Sequence, residues 1–171
     1  CNLVNQEGEL EYEHLCWDPV IFLVQSAHPC CRYARYRDTF YHPWIDLREF
    51  EQEIFILQHQ GQSLRQYSDQ LLEEAGLSPQ RITQIRNIET AAQMAANGLG
   101  VSFCLRHMMF IQPPYRFSVG ERQLAADFSA AYRRGRQLPE YTVQFIHLLK
   151  NLMEMEVGRM VEMDKSVNKN L

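Results

Sequence analysis

The chain has 171 residues, of which 46% are hydrophobic and 22% are charged, and its net charge is -4. This composition excludes an intrinsically disordered chain, and the acidic balance gives no electrostatic attraction to nucleic acid or to an anionic membrane. The longest apolar run, Val20–Val24, is too short to span a bilayer.

The first residue is Cys1 rather than Met, and no signal peptide is visible, so the sequence fits either a processed protein or a fragment. The chain has five cysteines, of which only Cys30 and Cys31 are adjacent. An odd and scattered set is unlike the disulfide framework of a secreted protein. We therefore expect reduced thiols and a cytoplasmic protein.

Two apolar runs predict buried strands in the first third of the chain. Val20–Val24 follows a chain break predicted at Asp18-Pro19, and Ile54–Leu57 follows a short helical turn that Asp46 could cap. Between the two strands lies an irregular segment rich in aromatic and basic residues, residues 30–44.

Helices and strands alternate in the middle of the chain, which predicts an α/β fold with a parallel sheet. Ser63 and Gln66 have the spacing of a capping box, and the helix that they begin is expected to end at Gly76. The later predicted elements are a strand at Ile82–Arg86, a helix from its N-cap Asn87 through Asn97, a strand at Val101–Leu105, weaker strands at 116–119 and 126–132, and a helix from Pro139 through Met153.

The glycines of AAQMAANGLGVSF, residues 91–103, are interpreted as structural. A dinucleotide fingerprint needs glycines after a strand and at a helix start, whereas Gly98 and Gly100 follow a helix and precede a strand. Gly98 is interpreted as a helix C-cap and Gly100 as a tight link. Ser102 lies inside the predicted strand, with Cys104 where a nucleophile elbow would need glycine, so no catalytic serine is predicted.

Two other patterns have both a functional and a structural interpretation. His28, Cys30, Cys31 and His42 could surround a zinc ion, but the paired ligand spacing of zinc sites is missing, so no metal site is predicted. The run Arg32–Arg37 alternates cations with aromatic rings, as proteins that bind single-stranded nucleic acid do. A solvated surface insertion is the preferred interpretation of this run.

The predicted helix starts at Ser63 and Asn87 are candidate ligand sites. Each follows a strand through a short loop, and parallel α/β sheets bind ligands at the carboxyl ends of strands, beside helix N-termini. Free backbone amides at such ends suit a carboxylate or another anion. The alternative is that both are simply capped helices with nothing bound.

Residues 87–103, NIETAAQMAANGLGVSF, resemble the signature region of the effector-binding domain of LysR-type transcriptional regulators. The resemblance spans about residues 10–150 and implies an α/β fold like that of type 2 periplasmic binding proteins, with a parallel or mixed sheet flanked by helices. In such a fold a small molecule binds between two lobes. The other matching segments, in the same order, are VIFLVQSAHP (20–29), residues 45–57, GQSLRQYSDQLLEEAG (61–76) and YRRGRQLPEYTVQFI (132–146).

The resemblance implies a sensor that binds a small metabolite, such as an organic acid or an amino acid-like molecule, and thereby controls a separate winged helix-turn-helix on DNA. It implies a homodimer or tetramer, no catalysis, no cofactor and no membrane. The helix from Ser63 would serve dimerisation, although its apolar stripe could equally pack on its own sheet. A solute-binding protein of the same fold is the alternative function, and an enzyme on this fold is a third.

The chain departs from the family pattern in its organisation. The DNA-binding part and the opening stretch of the first lobe are absent, and residues 30–44 are longer than usual. The last helix would then expose a face containing Phe145, Ile146 and Leu149, so we expect a fragment or a partner that covers this face. The implied organisation is a remnant of the first lobe and hinge (1–16), a nearly complete second lobe (17–122), a return strand and last helix of the first lobe (123–153), and a polar tail that frays (154–171).

The resemblance also implies that strand ends and helix starts contact the effector. Arg86 could balance an anionic effector, whereas Glu89 suits an amino or hydroxyl group or lies on the surface. The expected effector-binding residues are Gln25 and Ser26 after the first strand, Gln58, His59 and Gln60 after the second, and Ile88, Glu89 and Thr90 at the helix start.

Overall fold

A computed structural model describes residues 9–107 and 115–167, and the chain divides into two units. The first unit comprises the residues up to Asp18 together with those from Ala125 onward, and the second unit comprises Pro19–Leu124. The strands are β1 (Leu10–Val24), β2 (Ile54–Leu57), β3 (Arg81–Gln84), β4 (Val101–Leu105), β5 (Tyr115–Phe117) and β6 (Ala125–Arg133). The helices are α1 (Ser63–Glu74), α2 (Ile88–Ala96) and α3 (Glu140–Val167), with short 3-10 helices at Pro29–Tyr33 and Leu47–Phe50.

The sheet of the second unit is mixed. Strands β3, β2 and β4 are parallel neighbours in that order, whereas β1 is antiparallel to β4 and β5 is antiparallel to β1. The predicted α/β class is therefore confirmed, and the sheet contains antiparallel as well as parallel pairs. The two weaker strand candidates are confirmed as β5 and β6.

Both faces of this sheet are buried, which explains why its strands are continuous apolar runs rather than alternating ones. On one face the Phe22 ring lies 5.0 Å from Phe50, 6.2 Å from Phe55 and 5.2 Å from Phe103, measured between ring centroids. All four rings are fully buried, and each such burial contributes about 1.5–3 kcal/mol. The opposite face carries α2 and is formed by Ile21, Leu23, Ala92, Ala95 and Cys104.

Helix α1 begins differently from its prediction. Its N-cap is Gln62, whose side chain makes no capping hydrogen bond, and Ser63 is already helical. The predicted capping box is therefore wrong by one residue. The end of the helix is as predicted, because Gly76 adopts a φ of +64° and its amide donates to the Glu73 carbonyl at 2.9 Å.

The two glycines before β4 have structural roles, as expected. Gly98 follows the C-cap Asn97 with a φ of +77°, and its amide donates to the Ala95 carbonyl at 3.0 Å. Gly100 lies so close to β2 that an added Cβ would be 2.3 Å from the Ile54 carbonyl oxygen. Only glycine allows this approach of two backbones.

Strand β1 is longer than predicted and runs without a break through Pro19. Proline is compatible with an extended backbone, and the Pro19 carbonyl still accepts a hydrogen bond from the Arg106 amide at 2.9 Å. The residues before Asp18 were expected to belong to a remnant of the first lobe and hinge, and no strand was predicted there. From Leu10 onward they form the amino-terminal half of β1, a strand that pairs with β6.

Helix α3 continues to Val167, so the expectation that the chain frays from Glu154 is wrong. The segment contains no proline and is rich in methionine and glutamate, which favour a helical backbone. The expected uncovered face is present in part: Phe145 is 58% exposed, whereas Ile146 is buried. Among the described residues, no helix is long and apolar enough to cross a membrane.

Candidate functional site

The loops that follow β2 and β3 meet at one edge of the sheet in the second unit. Because β2 and β3 are parallel, their carboxyl ends lie side by side, and the Ile85 amide donates to the Leu57 carbonyl at 2.9 Å. The Gln62 side chain joins the two loops: its Oε1 accepts from the His59 amide at 3.1 Å, and its Nε2 donates to the Arg86 carbonyl at 3.1 Å. The loop after β2, which contains the predicted residue His59, is thus joined to the loop after β3 at Arg86.

Gln25 and Ser26 lie at the opposite edge of the same sheet. Strand β1 is antiparallel to β4, so the carboxyl end of β1 is next to the amino end of β4. The Gln25 side chain packs against Gly98, where an added Cβ would be 2.5 Å from its Oε1. The structure therefore does not bring these two residues together with the loops after β2 and β3.

Gln58 is the most unusual residue at this edge. It is fully buried, and neither its amide nitrogen nor its amide oxygen has a hydrogen-bond partner among the described residues. Most buried polar groups are paired, and an unpaired one costs about 1–3 kcal/mol. Gln58 therefore lowers the stability of the fold at this position.

The backbone of Gln58 is held by α1. The Arg65 side chain is 8% exposed; its Nη1 donates to the Gln58 carbonyl at 3.0 Å, and its Nε donates to Asp69 Oδ1 at 2.7 Å. A buried guanidinium that bonds both a carboxylate and a backbone carbonyl has little freedom to move, so it holds that carbonyl in place. Arg65 thus fixes the residue whose side chain lacks a partner.

The N-termini of the two helices at this edge differ. In α2, Asn87 Oδ1 accepts from the Thr90 amide at 2.7 Å, and Glu89 adds a carboxylate to the first turn. In α1, the N-cap Gln62 makes no side-chain bond to the first turn, and that turn has no acidic residue. Since uncapped amides and the helix dipole attract anions, α1 is the better anion site of the two.

The model of the LysR substrate binding domain matches residues 2–154. The chain belongs to this family. A comparison with curated proteins gives no match to this chain, which is called the LysR domain below. Its fold is that of the effector-binding domains of LysR regulators, as solved structures show.

Three solved structures are similar to the LysR domain over most of its length. The regulatory domain of CcmR from Synechocystis PCC6803, in complex with 2-PG, has a TM-score of 0.70 and 18% identity over 89% of this chain and 71% of that chain. The effector binding domain of QuiR with shikimate has a TM-score of 0.68 and 16% identity, covering 88% and 68%. The BenM domain with its effector benzoate has a TM-score of 0.66 and 15% identity, covering 92% and 68%.

Other predicted site residues of the LysR domain have mixed roles. Ile88 is half-buried and packs against the apolar cluster under α2, and Glu89 is exposed. The Thr90 hydroxyl donates to Asn87 Oδ1 at 3.1 Å, so both the amide and the hydroxyl of Thr90 serve the helix cap. His59 is half-buried and Gln60 is exposed in the loop after β2.

Residues that could have suggested catalysis or metal binding have structural contacts. Ser102 is buried, and its hydroxyl donates to the Ile56 carbonyl at 2.7 Å. Burial raises the pKa of the Cys31 thiol to about 11, and burial lowers the pKa of His42 to about 3 with help from nearby arginines. Among the described residues, no group of histidine, cysteine and carboxylate side chains could hold a metal ion.

Two residues that support the site were not among those predicted from the sequence. Gln62 joins the loops and Arg65 fixes the Gln58 backbone. The only sequence signal for either is position: they stand at the N-cap and in the first turn of a helix that follows a strand. That signal indicates an anion site in general but does not identify a bridging amide.

Proposed function

We propose that the LysR domain is the sensor of a transcriptional regulator and binds a small carboxylate beside Gln58 and the N-terminus of α1. The observation that carries this proposal is the buried Gln58 amide without a partner. Shikimate and benzoate, which are named in complexes of similar domains, are both carboxylates. The uncapped amides of α1 supply what such a group needs.

In this proposal, α1 and Gln58 bind different groups of the ligand. The carboxylate accepts from the first-turn amides of α1, a contribution of about 0.3–1 kcal/mol from the helix dipole beyond the hydrogen bonds themselves. The Gln58 amide, which both donates and accepts, pairs with a neighbouring hydroxyl, carbonyl or amino group of the ligand. Gln60 and His59 complete the loop around it. Two paired amide atoms would contribute about 0.5–1.5 kcal/mol each.

A thermal-shift assay with a panel of carboxylates that includes benzoate and shikimate tests the site. A ligand that stabilises the wild-type domain should give no shift with Gln58→Ala. It should still stabilise Gln25→Ala, because Gln25 lies at the other edge of the sheet. Equal shifts for the wild type and Gln58→Ala, or loss of the shift in Gln25→Ala alone, would contradict the assignment.

We further propose how the domain works in its regulator. The chain spans 50% of full-length BenM, so control of DNA through a winged helix-turn-helix outside this chain is part of the proposal. The regulator acts in the cytoplasm as a homodimer or tetramer, without catalysis or a cofactor. In this proposal Pro19–Leu124 corresponds to the second lobe of the family and the first unit to the remainder.

The exposed side of β3 supports the proposed oligomer. β3 is an edge strand, Ile82 on it is 44% exposed, and a groove of about 460 Å³ lies between it and α1. Sedimentation equilibrium should show a dimer or larger species, and Ile82→Asp should shift it towards monomer. A monomer at every concentration would contradict the oligomer but not the ligand site.

A further inference from the structure

The segment of residues 30–44, called here the arginine-aromatic segment, has no role in the proposed effector site. It contains three arginines against one aspartate, in a chain whose net charge is -4. It is therefore a positive region on an otherwise acidic protein. Its charged and aromatic members are Arg32, Arg35, Arg37 and Asp38 with Tyr33, Tyr36, Phe40, Tyr41 and Trp44.

The base of this segment is hydrogen-bonded to residues 118–120, which follow β5. Arg35 and Trp44 form an antiparallel bridge through two hydrogen bonds of 2.8 and 2.7 Å, and Trp44 also bridges Ser118. The Trp44 indole donates to the Gly120 carbonyl at 2.8 Å, and the Ile45 amide donates to the Ser118 carbonyl at 3.0 Å. A surface fixed in this way loses little conformational entropy when a partner binds.

The three tyrosine rings of the segment are exposed although they are large. Tyr33 is 41% exposed, Tyr36 is 67% exposed and Tyr41 is 48% exposed. The Arg37 guanidinium lies 3.5 Å from the centroid of the Trp44 ring, so cation and ring are already stacked. Tyrosine, tryptophan and arginine are the residues that contribute most at protein interfaces.

The three arginines have no carboxylate partner within salt-bridge distance among the described residues, although Arg32 Nη2 donates to the Tyr33 hydroxyl at 2.7 Å. Among the described residues none of them makes a salt bridge, although Asp38, Asp46 and Glu49 lie on or beside the segment. Asp46 is already engaged by Arg48, whose Nη2 lies 2.6 Å from Asp46 Oδ2. Guanidinium groups without a salt-bridge partner, beside exposed rings, suit carboxylates that are interspersed with apolar side chains.

We propose that the arginine-aromatic segment is a docking surface for an acidic segment of a partner protein. Carboxylates of the partner pair with the three arginines, and its apolar side chains pack on the tyrosine rings. A short peptide places its charge on these arginines alone. A long polyanion such as DNA would extend over the acidic remainder of the chain and be repelled.

Fluorescence anisotropy with a labelled synthetic peptide of alternating aspartate, leucine and phenylalanine tests the proposal. We expect binding in the micromolar range that weakens as salt rises. Arg35→Gln with Arg37→Gln should weaken it by about tenfold or more, and Tyr36→Ala by about threefold or more. Arg48→Gln removes a neighbouring charge that Asp46 already engages, so it is the matched control and should change the affinity by less than about twofold.

Three results would overturn the proposal. The first is no binding of the peptide at about 1 mM. The second is an equal loss in Arg48→Gln, which would show that only overall charge matters. The third is tighter binding of oligothymidine than of the peptide, which would assign the surface to nucleic acid. Because Tyr36 is exposed, Tyr36→Ala remains a folded test even if the arginine variants lose stability.

Discussion

Replacing Gln58 with methionine should make the unliganded domain more stable and abolish ligand binding. The substitution keeps the length and flexibility of the side chain and removes both amide atoms. Gln58 is fully buried and its amide has no partner among the described residues, so the fold loses no hydrogen bond. A gain in stability with a loss of function is the pattern expected of a functional residue.

The size of the gain follows from the cost of a buried unpaired amide, which is about 1–3 kcal/mol. Near the melting temperature, 1 kcal/mol corresponds to about 2–4 °C for a chain of this size. Gln58→Met should therefore raise Tm by roughly 2–12 °C. Gln60 is exposed in the same loop, so Gln60→Met should change the free energy of unfolding by less than about 0.5 kcal/mol.

Urea unfolding followed by circular dichroism measures the free energy, and a thermal-shift assay with a stabilising carboxylate measures binding. The expected result is a higher urea midpoint at an unchanged slope, with no ligand-induced shift. A fall of about 1 kcal/mol or more in Gln58→Met would refute the reasoning. It would mean that the amide stabilises the unliganded fold and is not reserved for a ligand.

Three further predictions concern stability and can be measured by urea unfolding. Gly98→Ala should cost about 1–2 kcal/mol for its positive φ, and Gly100→Ala more, because its Cβ would meet backbone rather than a side-chain end. Burial keeps the pKa of His42 at about 3, so between pH 7.0 and 5.5 this imidazole is protonated in the unfolded chain but not in the folded one. The free energy of unfolding should therefore fall by about 1.3 kcal/mol from pH 7.0 to 5.5, and by less in His42→Gln. Arg65→Met should cost about 1–3 kcal/mol, since it removes the bond to the Gln58 carbonyl, and Arg65→Lys less.

The strands at the centre of the sheet could be predicted from the sequence because burial on both faces gives an uninterrupted apolar run. Ile54–Leu57 and Val101–Leu105 have the predicted bounds. The amino-terminal half of β1 was missed although its glutamates alternate with apolar residues, which is the pattern of a half-buried strand, because the pair Asp18-Pro19 suggested a break. A proline that keeps its carbonyl in the ladder does not end a strand.

Strand direction could not be read from the apolar pattern, and it determines which residues share an edge. Gln25 and Gln58 both follow buried strands, so the sequence places them alike. The antiparallel pairing of β1 with β4 sends Gln25 to the edge opposite Gln58. The strands β2 and β3 are parallel, so the loops after them lie side by side, and Gln62 joins the two loops by donating to the Arg86 carbonyl. The apolar pattern therefore predicts where a strand ends along the chain, but not at which end of the sheet that point lies.

Two features that lower the stability of the fold lie near each other where the carboxyl ends of β2 and β3 meet. Helix α1 lacks the side-chain cap that the spacing of Ser63 and Gln66 suggested, because Gln62 occupies the N-cap and its amide joins two loops instead. In the loop between β2 and α1, Gln58 buries a side-chain amide that has no hydrogen-bond partner among the described residues. Each feature costs stability, and a sequence under selection for stability alone would remove both. The proposed carboxylate ligand would account for both features, because it would supply the missing acceptor to α1 and the missing partner to Gln58.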